Sequence, residues 1–465
     1  MRRPARLLVA AVLSGLSCLP WVATADEEGT EERPADPPVL DLAALLRAAD
    51  HTYPGLRAAE ARIRAARARL DEAWVTPFFQ STITAGFGLS PEIRGTPIFS
   101  PDNQVPLSNP WQPVLSLQIE GVIPLWTFGK LPAARDAARA GIRAAESDRA
   151  RVRAQLRYDV RRAYFGLQLA LDLEQMLRET LPPLRQALER IEEQLDDDDP
   201  AVSDLARYRL EAALAEVEAR ASDVARLEQS SRVALTILTG VQEFRIPACP
   251  IEAVSLELRP RTYYVSQASA NRPEVRMLEA ALRAREASLD ATEARFYPDL
   301  ALVYQFGTTY SPGITDQRNP FIIDPANYLF VRAGLVLRWS LDLWGNAYRV
   351  DRERALVDDI RERSREAARG LELEVSAAYE TARAAAERVE AWGRGRRQSR
   401  RWFIAASQGR DIGTLSTRDL VDAARAYITA RVSHLTSIQE LNQALANLER
   451  ASGVALTDHW ESPCE

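Results

Sequence analysis

The sequence is poor in the residues that most often bind metals or cross-link chains. Its 465 residues include three cysteines and three histidines. Cys249 and Cys464, which follow the N-terminal signal described below, lie far apart in sequence and do not make a disulfide framework. The histidines are scattered, so we expect no metal site. The chain also has no nucleophile constellation, phosphate loop or catalytic signature, and we expect neither enzymatic activity nor a cofactor.

An excess of positive charge is also missing. The formal net charge is −6. The only charged side chains in residues 1–25 are Arg2, Arg3 and Arg6, so removal of this segment makes the mature chain more negative still. This balance argues against a nucleic-acid partner. The cations are nearly all arginine, and Lys130 is the only lysine, which we ascribe to the base composition of the genome.

Residues 1–25 have the pattern of a secretory signal peptide. A basic start precedes an apolar run that is too short for a transmembrane anchor, and Ala23-Thr24-Ala25 fits the small-x-small cleavage pattern. Lipidation of Cys18 instead of cleavage after Ala25 is the alternative, although Gly15 stands where a lipoprotein signal usually has leucine.

Long apolar runs are absent from the remainder of the chain. After residue 25, no run approaches the roughly 18–20 residues that a membrane-spanning helix needs. Such an exported chain is either soluble outside the inner membrane or crosses a membrane as a β-barrel, because the backbone in lipid must satisfy its own hydrogen bonds.

What the chain does contain is an internal duplication. Leu125-Trp126-Thr127-Phe128-Gly129-Lys130 has a counterpart in Leu343-Trp344-Gly345-Asn346, and each stands between an alternating segment and a long charged, alanine-rich segment. Two further pairs of segments align at nearly the same spacing, those that begin at Pro54 and Pro273 and those around Asp204 and Asp419. We therefore divide the chain into a signal peptide, two repeats and a tail, over residues 1–25, 26–240, 241–453 (with a linker at 241–265) and 454–465.

Each repeat is predicted to contain two strands followed by two long helices. We expect the strands at about 78–89, 113–123, 299–310 and 328–341, and the long helices at about 130–195, 200–239, 346–408 and 416–452. The first long helix would extend roughly 100 Å at ~1.5 Å per residue, and its apolar residues have a coiled-coil-like spacing. Pro182-Pro183 predicts a kink or a local break within it.

The strands alternate between apolar and polar residues over about ten positions. This pattern is typical of outer-membrane barrels and also of soluble sandwiches. The unusual helix length favours the barrel. Four strands cannot close a barrel by themselves, and open edges cannot face lipid. Closure needs at least about eight strands, and three copies of the chain would supply twelve.

The order of elements and two motifs resemble the TolC family of outer-membrane efflux proteins. The motifs are Pro124-Leu125-Trp126-Thr127-Phe128-Gly129-Lys130 and Gly413-Thr414-Leu415-Ser416-Thr417-Arg418-Asp419-Leu420-Val421-Asp422-Ala423. The resemblance implies a mainly α fold with β, built as a duplicated helix–strand–strand–helix protomer. Four strands would enter a 12-stranded trimeric transmembrane β-barrel, and long antiparallel helices would enter a periplasmic α-barrel. It also implies a homotrimer in the outer membrane that docks on a periplasmic adaptor and an inner-membrane pump.

Several side chains are candidates for a role in such a channel. Asp419 and Asp422 share a helix face, and the resemblance places them at the closed periplasmic entrance, with Asp204 as the counterpart of Asp419 in the first repeat. Position 207 is arginine where the second repeat has Asp422, and Leu415 stands where some relatives have a gate-stabilising arginine. The alternative is that acidic residues early in a helix simply suit its dipole.

Two further groups complete the set. The helix turns would meet the adaptor through Asp198, Asp199, Ile412, Gly413, Thr414 and Leu415, unless they are only solvated loops. The barrel lumen would be lined by Gln118, Glu120, Arg332 and Arg338, and the three charged residues among them could instead sit at a barrel rim. Trp126 and Trp344 follow strand ends, which fits either an interfacial aromatic belt or packing at the junction.

We therefore predict an outer-membrane channel of a tripartite efflux or type I secretion system, a passive duct for small molecules or polypeptides. The first alternative is a periplasmic or surface coiled-coil protein without channel activity. The second is an exported enzyme that uses a carboxylate pair such as Asp358-Asp359, but nothing in the sequence indicates that such residues come together in a pocket. The sequence does not name the cargo or the class of pump.

Overall fold

The computed structural model describes residues 37–78, 80–94, 106–196, 203–316, 326–411, 414–415 and 417–456. The signal peptide and Cys18 lie outside this part of the chain. The described residues form two similar halves, each with two short helices, two strands and two long helices. In chain order the first half consists of α1 (Leu42–Thr52), α2 (Pro54–Val75), β1 (Gln80–Pro91), β2 (Trp111–Trp126), α3 (Lys130–Asp196) and α4 (Asp204–Thr239). The second half consists of α5 (Arg261–Asn271), α6 (Pro273–Glu293), β3 (Asp299–Tyr310), β4 (Tyr328–Arg338), α7 (Leu343–Asp411) and α8 (Thr417–Ser452).

The short helices begin and end at clear local signals. Asp41 caps α1, because its carboxylate accepts a hydrogen bond from Ala44 N at 2.7 Å. Only Tyr53 separates α1 from α2. Both α2 and α6 have proline at a first helical position, where its missing N–H costs no hydrogen bond.

The four strands form one antiparallel sheet in the order β1-β2-β3-β4. The central pair, β2 and β3, joins the two repeats. The register is regular from Leu115 opposite Tyr310 to Pro124 opposite Ala301, and it shifts between Pro124 and Trp126. Because side chains alternate between faces, this register decides which residues share each face of the sheet.

The long helices α3 and α7 run unbroken for 67 and 69 residues. Of the two outcomes predicted for Pro182-Pro183, the local break is wrong, because α3 continues through both prolines, and the kink stays a prediction. The two prolines lie on an exposed stretch of the helix, where the carbonyl groups of Arg178 and Glu179 that lose their donors can bond to water.

The linker between the repeats is shorter than predicted, because α5 already begins at Arg261. The segment before α5 contacts both halves of the chain. In the first half, Asp172 on α3 accepts a hydrogen bond from Ile251 N at 2.7 Å. The buried Asn442 on α8 accepts from Val254 N at 3.0 Å. Burial raises the pKa of Asp172, although the bond from Ile251 and the charge of Arg431 oppose this.

The helices α4 and α8, the shorter of the long helices, each end against a short helix of the same repeat. Thr52 at the end of α1 donates from Oγ1 to the carbonyl oxygen of Thr239, the last residue of α4, at 2.5 Å. In the second repeat, Gly453 after α8 lies against Asn271 at the end of α5. Both helices end in a glycine with positive φ, Gly240 at 74° and Gly453 at 68°. The helices α4 and α8 thus each end at the junction between the two short helices of their own repeat.

Two apolar clusters hold the helices together. The larger one packs α1, α3 and α4 around buried residues such as Leu45, Leu167 and Leu235. The other packs α5, α7 and α8 around Tyr264 and the small side chains of Ala382 and Ala385. None of the described helices is long and apolar enough to cross a membrane.

Cys249 is part of a disulfide bond. This differs from the expectation that the remaining cysteines form no disulfide framework. Distance along the sequence does not limit distance in space, so the spacing alone could not exclude a single bridge. Neither of the other two cysteines falls among the described residues.

Candidate functional site: the sheet faces and the helix ends

One face of the sheet is apolar and exposed. The register aligns Ile83, Ile119, Phe306 and Val331 in one row across all four strands. At the two edges of this row, Ile83 is 67% and Val331 is 75% exposed. Further exposed apolar side chains share this face at Phe87, Leu89, Leu115, Leu329, Leu335 and Leu337. Such a large apolar surface requires cover by lipid or by another chain.

The opposite face is polar. Thr82, Glu120, Gln305 and Arg332 form the row next to the apolar one. The sheet therefore brings the predicted lumen residues Glu120 and Arg332 to one level, with Gln305 between them. Gln118 lies on the same face one row away, opposite Thr84 and Gly307.

Arg338 lies at the end of the sheet and not in its middle. It pairs with Asp299 in the last register position of β3 and β4. Asp299 in turn accepts a hydrogen bond from Lys130 Nζ at 2.8 Å. This placement corresponds to the rim position that the sequence left open for Arg338.

The junction between sheet and helices contains a group that the sequence did not identify. Phe128 has a φ of 48° and Gly129 a φ of 100°, which turns the chain sharply from β2 into α3. The Phe128 ring stacks on Tyr297 with centroids 5.7 Å apart and meets the edge of Trp126 at 6.1 Å. Trp126 packs at the junction and remains 61% exposed, whereas Trp344 is 81% exposed. The Phe128-Gly129-Lys130 sequence is the signal from which this turn could have been predicted.

Within the described sheet, the two lateral edges are unpaired. β1 and β4 each have one neighbour within the sheet. The helices continue these edges, with α2 and α4 on the β1 side and α7 on the β4 side. Large apolar side chains are exposed along both edges, at Trp74, Val75, Tyr208, Ile237, Trp344, Tyr348, Leu373 and Trp402.

At the far end of the helices, the two repeats differ. Asp204 opens α4 and lies 3.4 Å from Arg207, which also reaches Glu211 at 3.7 Å. In α8, Asp422 lies 3.9 Å from Arg418, and Asp419 is exposed. The acidic side chains early in α8 thus share one helix turn, while the corresponding turn of α4 contains an arginine.

The turn before α8 is partly described. Thr414 N and Leu415 N both donate to the carbonyl oxygen of Gly409, at 2.8 and 3.1 Å. Leu415 is 42% exposed and lies against Gly409, where a larger residue would meet its side chain. The other predicted tip residues, Asp198, Asp199, Ile412 and Gly413, lie outside the described residues.

In the described part of the chain, no three histidine, cysteine, aspartate or glutamate side chains lie close enough together to hold a metal ion. The grooves between helices are shallow and open, and one lies between α7 and α8 beside Trp392. The features that stand out chemically are therefore the two-faced sheet and the helix ends.

The profile of the outer membrane efflux protein family matches residues 45–241 and 264–454. The chain belongs to the outer membrane efflux protein family. This membership makes it a non-enzymatic outer-membrane protein with a long helical periplasmic part. The duplicated helix–strand–strand–helix fold predicted from the sequence is confirmed.

Individual members of the outer membrane efflux protein family are similar over parts of the chain. The probable outer membrane lipoprotein SilC of Salmonella typhimurium is 27% identical over 304 residues, which cover 65% of this chain and 62% of SilC. The cation efflux system protein CusC of Escherichia coli is 30% identical over 189 residues, or 40% of each chain. The matches thus span less than two thirds of either relative.

A solved structure covers more of the chain. The outer-membrane channel OprN superposes with a TM-score of 0.71 at 21% identity, over 89% of both chains. At this identity the likeness concerns the fold. The sheet and the long helices described above are therefore arranged as in outer membrane efflux proteins.

Proposed function

We propose that three copies of this chain close into a passive duct, each pairing its β4 edge with the β1 edge of the next. The observation that carries the proposal is the two-faced sheet with two open edges. Unpaired strand edges cannot face lipid. A single four-stranded sheet cannot bury its own edges, whereas twelve strands can close with the apolar face toward lipid and the polar face around a lumen.

The helices support the same arrangement. Exposed apolar side chains line the α2 and α4 edge and the α7 edge of one protomer. Packing these two edges together would bury both, and the hydrophobic contribution of each large side chain is about 1.5–3 kcal/mol. The helices would then continue the sheet as a tube of roughly 100 Å, given the length of α3.

In this proposal the duct is one part of a three-component export system. The helix ends near Asp204 and Asp419 form its periplasmic entrance, with Asp422 beside Asp419. The turns before α4 and α8 meet a periplasmic adaptor, and an inner-membrane pump supplies the energy. Similarity to CusC, a cation efflux system protein, supports export of small solutes as the cargo. The protein itself performs no chemistry.

Two measurements on the purified full-length protein test this function. Reconstitution in a planar lipid bilayer should give discrete conductance steps. The same preparation should contain trimers in detergent. A protein that extracts without detergent and gives no conductance would instead support the coiled-coil alternative.

A further inference from the structure

Three side chains on the polar face of β4 form one stack, which we call the β4 ladder. Tyr328, Phe330 and Arg332 alternate along the strand and therefore share a face. The Tyr328 and Phe330 rings are stacked, with centroids 5.6 Å apart and planes at 23°. The Arg332 guanidinium carbon lies 4.5 Å from the centroid of Phe330.

The neighbouring strand holds the ladder in place. Gly307 on β3 pairs with Phe330, and a Cβ atom at position 307 would overlap the Phe330 ring. The glycine thus lets the ring lean across β3. A ring held in this way fixes the plane of the guanidinium that stacks on it.

The next position of the ladder is empty. Gly334 follows Arg332 on the same face, and nothing in the described part of the chain lies within 4 Å of a Cβ atom built there. Its partner on β3 is Val303, which gives this position an apolar neighbour. Within one protomer, no side chain of the described residues therefore occupies the position that follows Arg332 on this face.

The charge of Arg332 is available to a ligand. Among the described residues, no carboxylate forms an ion pair with it. Glu120 lies in the same row but two strands away, at about 10 Å given the spacing of strands. Arginine donates five N–H groups in one plane, and an aromatic ring can stack on that plane while a carboxylate binds at its edge.

We propose that the empty position above Gly334 binds an aromatic ring that carries a carboxylate on a short arm. The ring stacks on Arg332 as the next member of the ladder, and the carboxylate bonds to the guanidinium edge. This inference rests on the proposed function, because the polar face then lines the duct. It names aromatic carboxylates as a class of cargo that the duct retains in transit.

The binding test uses the full-length protein in detergent and 3-(4-fluorophenyl)propionate as the probe, followed by fluorine NMR line broadening. Arg332→Gln removes both the positive charge and the planar guanidinium group. Arg332→Lys keeps the positive charge but lacks the planar group. Each should weaken binding, roughly tenfold for Arg332→Gln. Gly334→Leu fills the empty position and should abolish binding. Gly370→Leu is the matched control, since Gly370 is an open glycine on α7, outside the sheet.

Competition defines the ligand class. Unlabelled 3-phenylpropionate should displace the probe, whereas 3-cyclohexylpropionate and 3-phenylpropylamine should not. Equal binding of the probe by all variants overturns the proposal, because partition of the probe into the detergent would produce that result. Equal displacement of the probe by 3-cyclohexylpropionate also overturns it. The result for Gly334→Leu counts only if that variant folds. Arg332→Lys changes an exposed side chain, so its binding result tests the proposal independently.

Conductance of the same samples separates this proposal from the proposed function. Channels that conduct but bind the probe equally in all variants overturn the ladder site and leave the duct intact. Samples that show the predicted binding differences but never conduct support the site and contradict the duct.

Discussion

Lys130 Nζ donates to Asp299 Oδ1 at 2.8 Å and so joins the first residue of α3 to the first residue of β3. The same ammonium group donates to the carbonyl oxygen of Tyr297 at 3.2 Å. The single lysine of the chain thus connects the two repeats at the point where sheet becomes helix. The sequence placed Lys130 in the duplicated motif but identified no partner for its side chain.

Loss of this bridge should loosen the junction. We expect Lys130→Met and Asp299→Asn each to lower stability by about 1 kcal/mol, because the pair is only partly buried. Thermal unfolding in detergent would show this, and the double variant should be no less stable than either single one. The Arg349–Asp342 pair, which lies within one repeat, is the control and should contribute less. Additive losses in the double variant would contradict a direct bond.

A buried ion pair connects the repeats among the helices. Arg161 Nη1 on α3 lies 2.6 Å from Glu449 Oε1 on α8, with side chains 9% and 17% exposed. Arg161→Met leaves a buried carboxylate and should cost about 3–5 kcal/mol, while Arg161→Met combined with Glu449→Leu should recover much of this. The exposed Arg388–Glu440 pair is the matched control, and breaking it should cost less than about 1 kcal/mol. Similar unfolding temperatures for Arg161→Met and Arg388→Met would refute the distinction.

His434 should make the helix pair α7–α8 sensitive to acid. Burial lowers the pKa of His434, and the nearby Arg396 and Arg397 lower it further, against a hydrogen bond with the backbone of Val389. The unfolded chain therefore takes up a proton below about pH 6.5 that the folded chain resists, so stability falls as the pH drops through this range. The unfolding temperature should decline from pH 7 to pH 5, and less so in His434→Gln. Parallel pH profiles for the two proteins would exclude His434 as the cause.

The two repeats should contribute unequally at the proposed entrance. Asp419 and Asp422 share a turn of α8, whereas Asp204 has Arg207 at 3.4 Å. In bilayer recordings, Asp419→Asn combined with Asp422→Asn should weaken block by Mg²⁺ from the helix side severalfold. Asp204→Asn should have a smaller effect, because it removes one carboxylate per chain where the α8 variant removes two, and arginine stands at position 207 where the second repeat has Asp422. Equal effects would show that Arg207 does not matter there.

The row that contains Glu120 and Arg332 predicts opposite changes in ion preference. Glu120→Gln should shift the reversal potential toward anion selectivity, and Arg332→Gln should shift it toward cation selectivity. Thr82→Ala, in the same row and uncharged, is the control. Shifts of the same sign, or none, would mean that this face does not line the conducting path.

The fold could be predicted because its signals are repeated and long. Alternation identified four strands, and continuous helical character identified α3, α4, α7 and α8. Details that depend on contacts between distant segments could not be predicted. Gly393, for example, lies within the unbroken α7, and the His434 ring of α8 is 3.4 Å from a Cβ atom built there.

The candidate site shows the same division. Period-two alternation placed Gln118, Glu120 and Arg332 on one face of the sheet. The β4 ladder was not predicted, because it requires the register that sets Phe330 over Gly307. The Arg161–Glu449 pair also escaped prediction, since nothing local in either helix identifies its partner.

The central claim is that the open β1 and β4 edges close against each other in a ring of three. Native mass spectrometry of the detergent-extracted protein tests it most directly. We expect a mass three times that of the mature chain. A stable, folded monomer with both edges free would contradict the account.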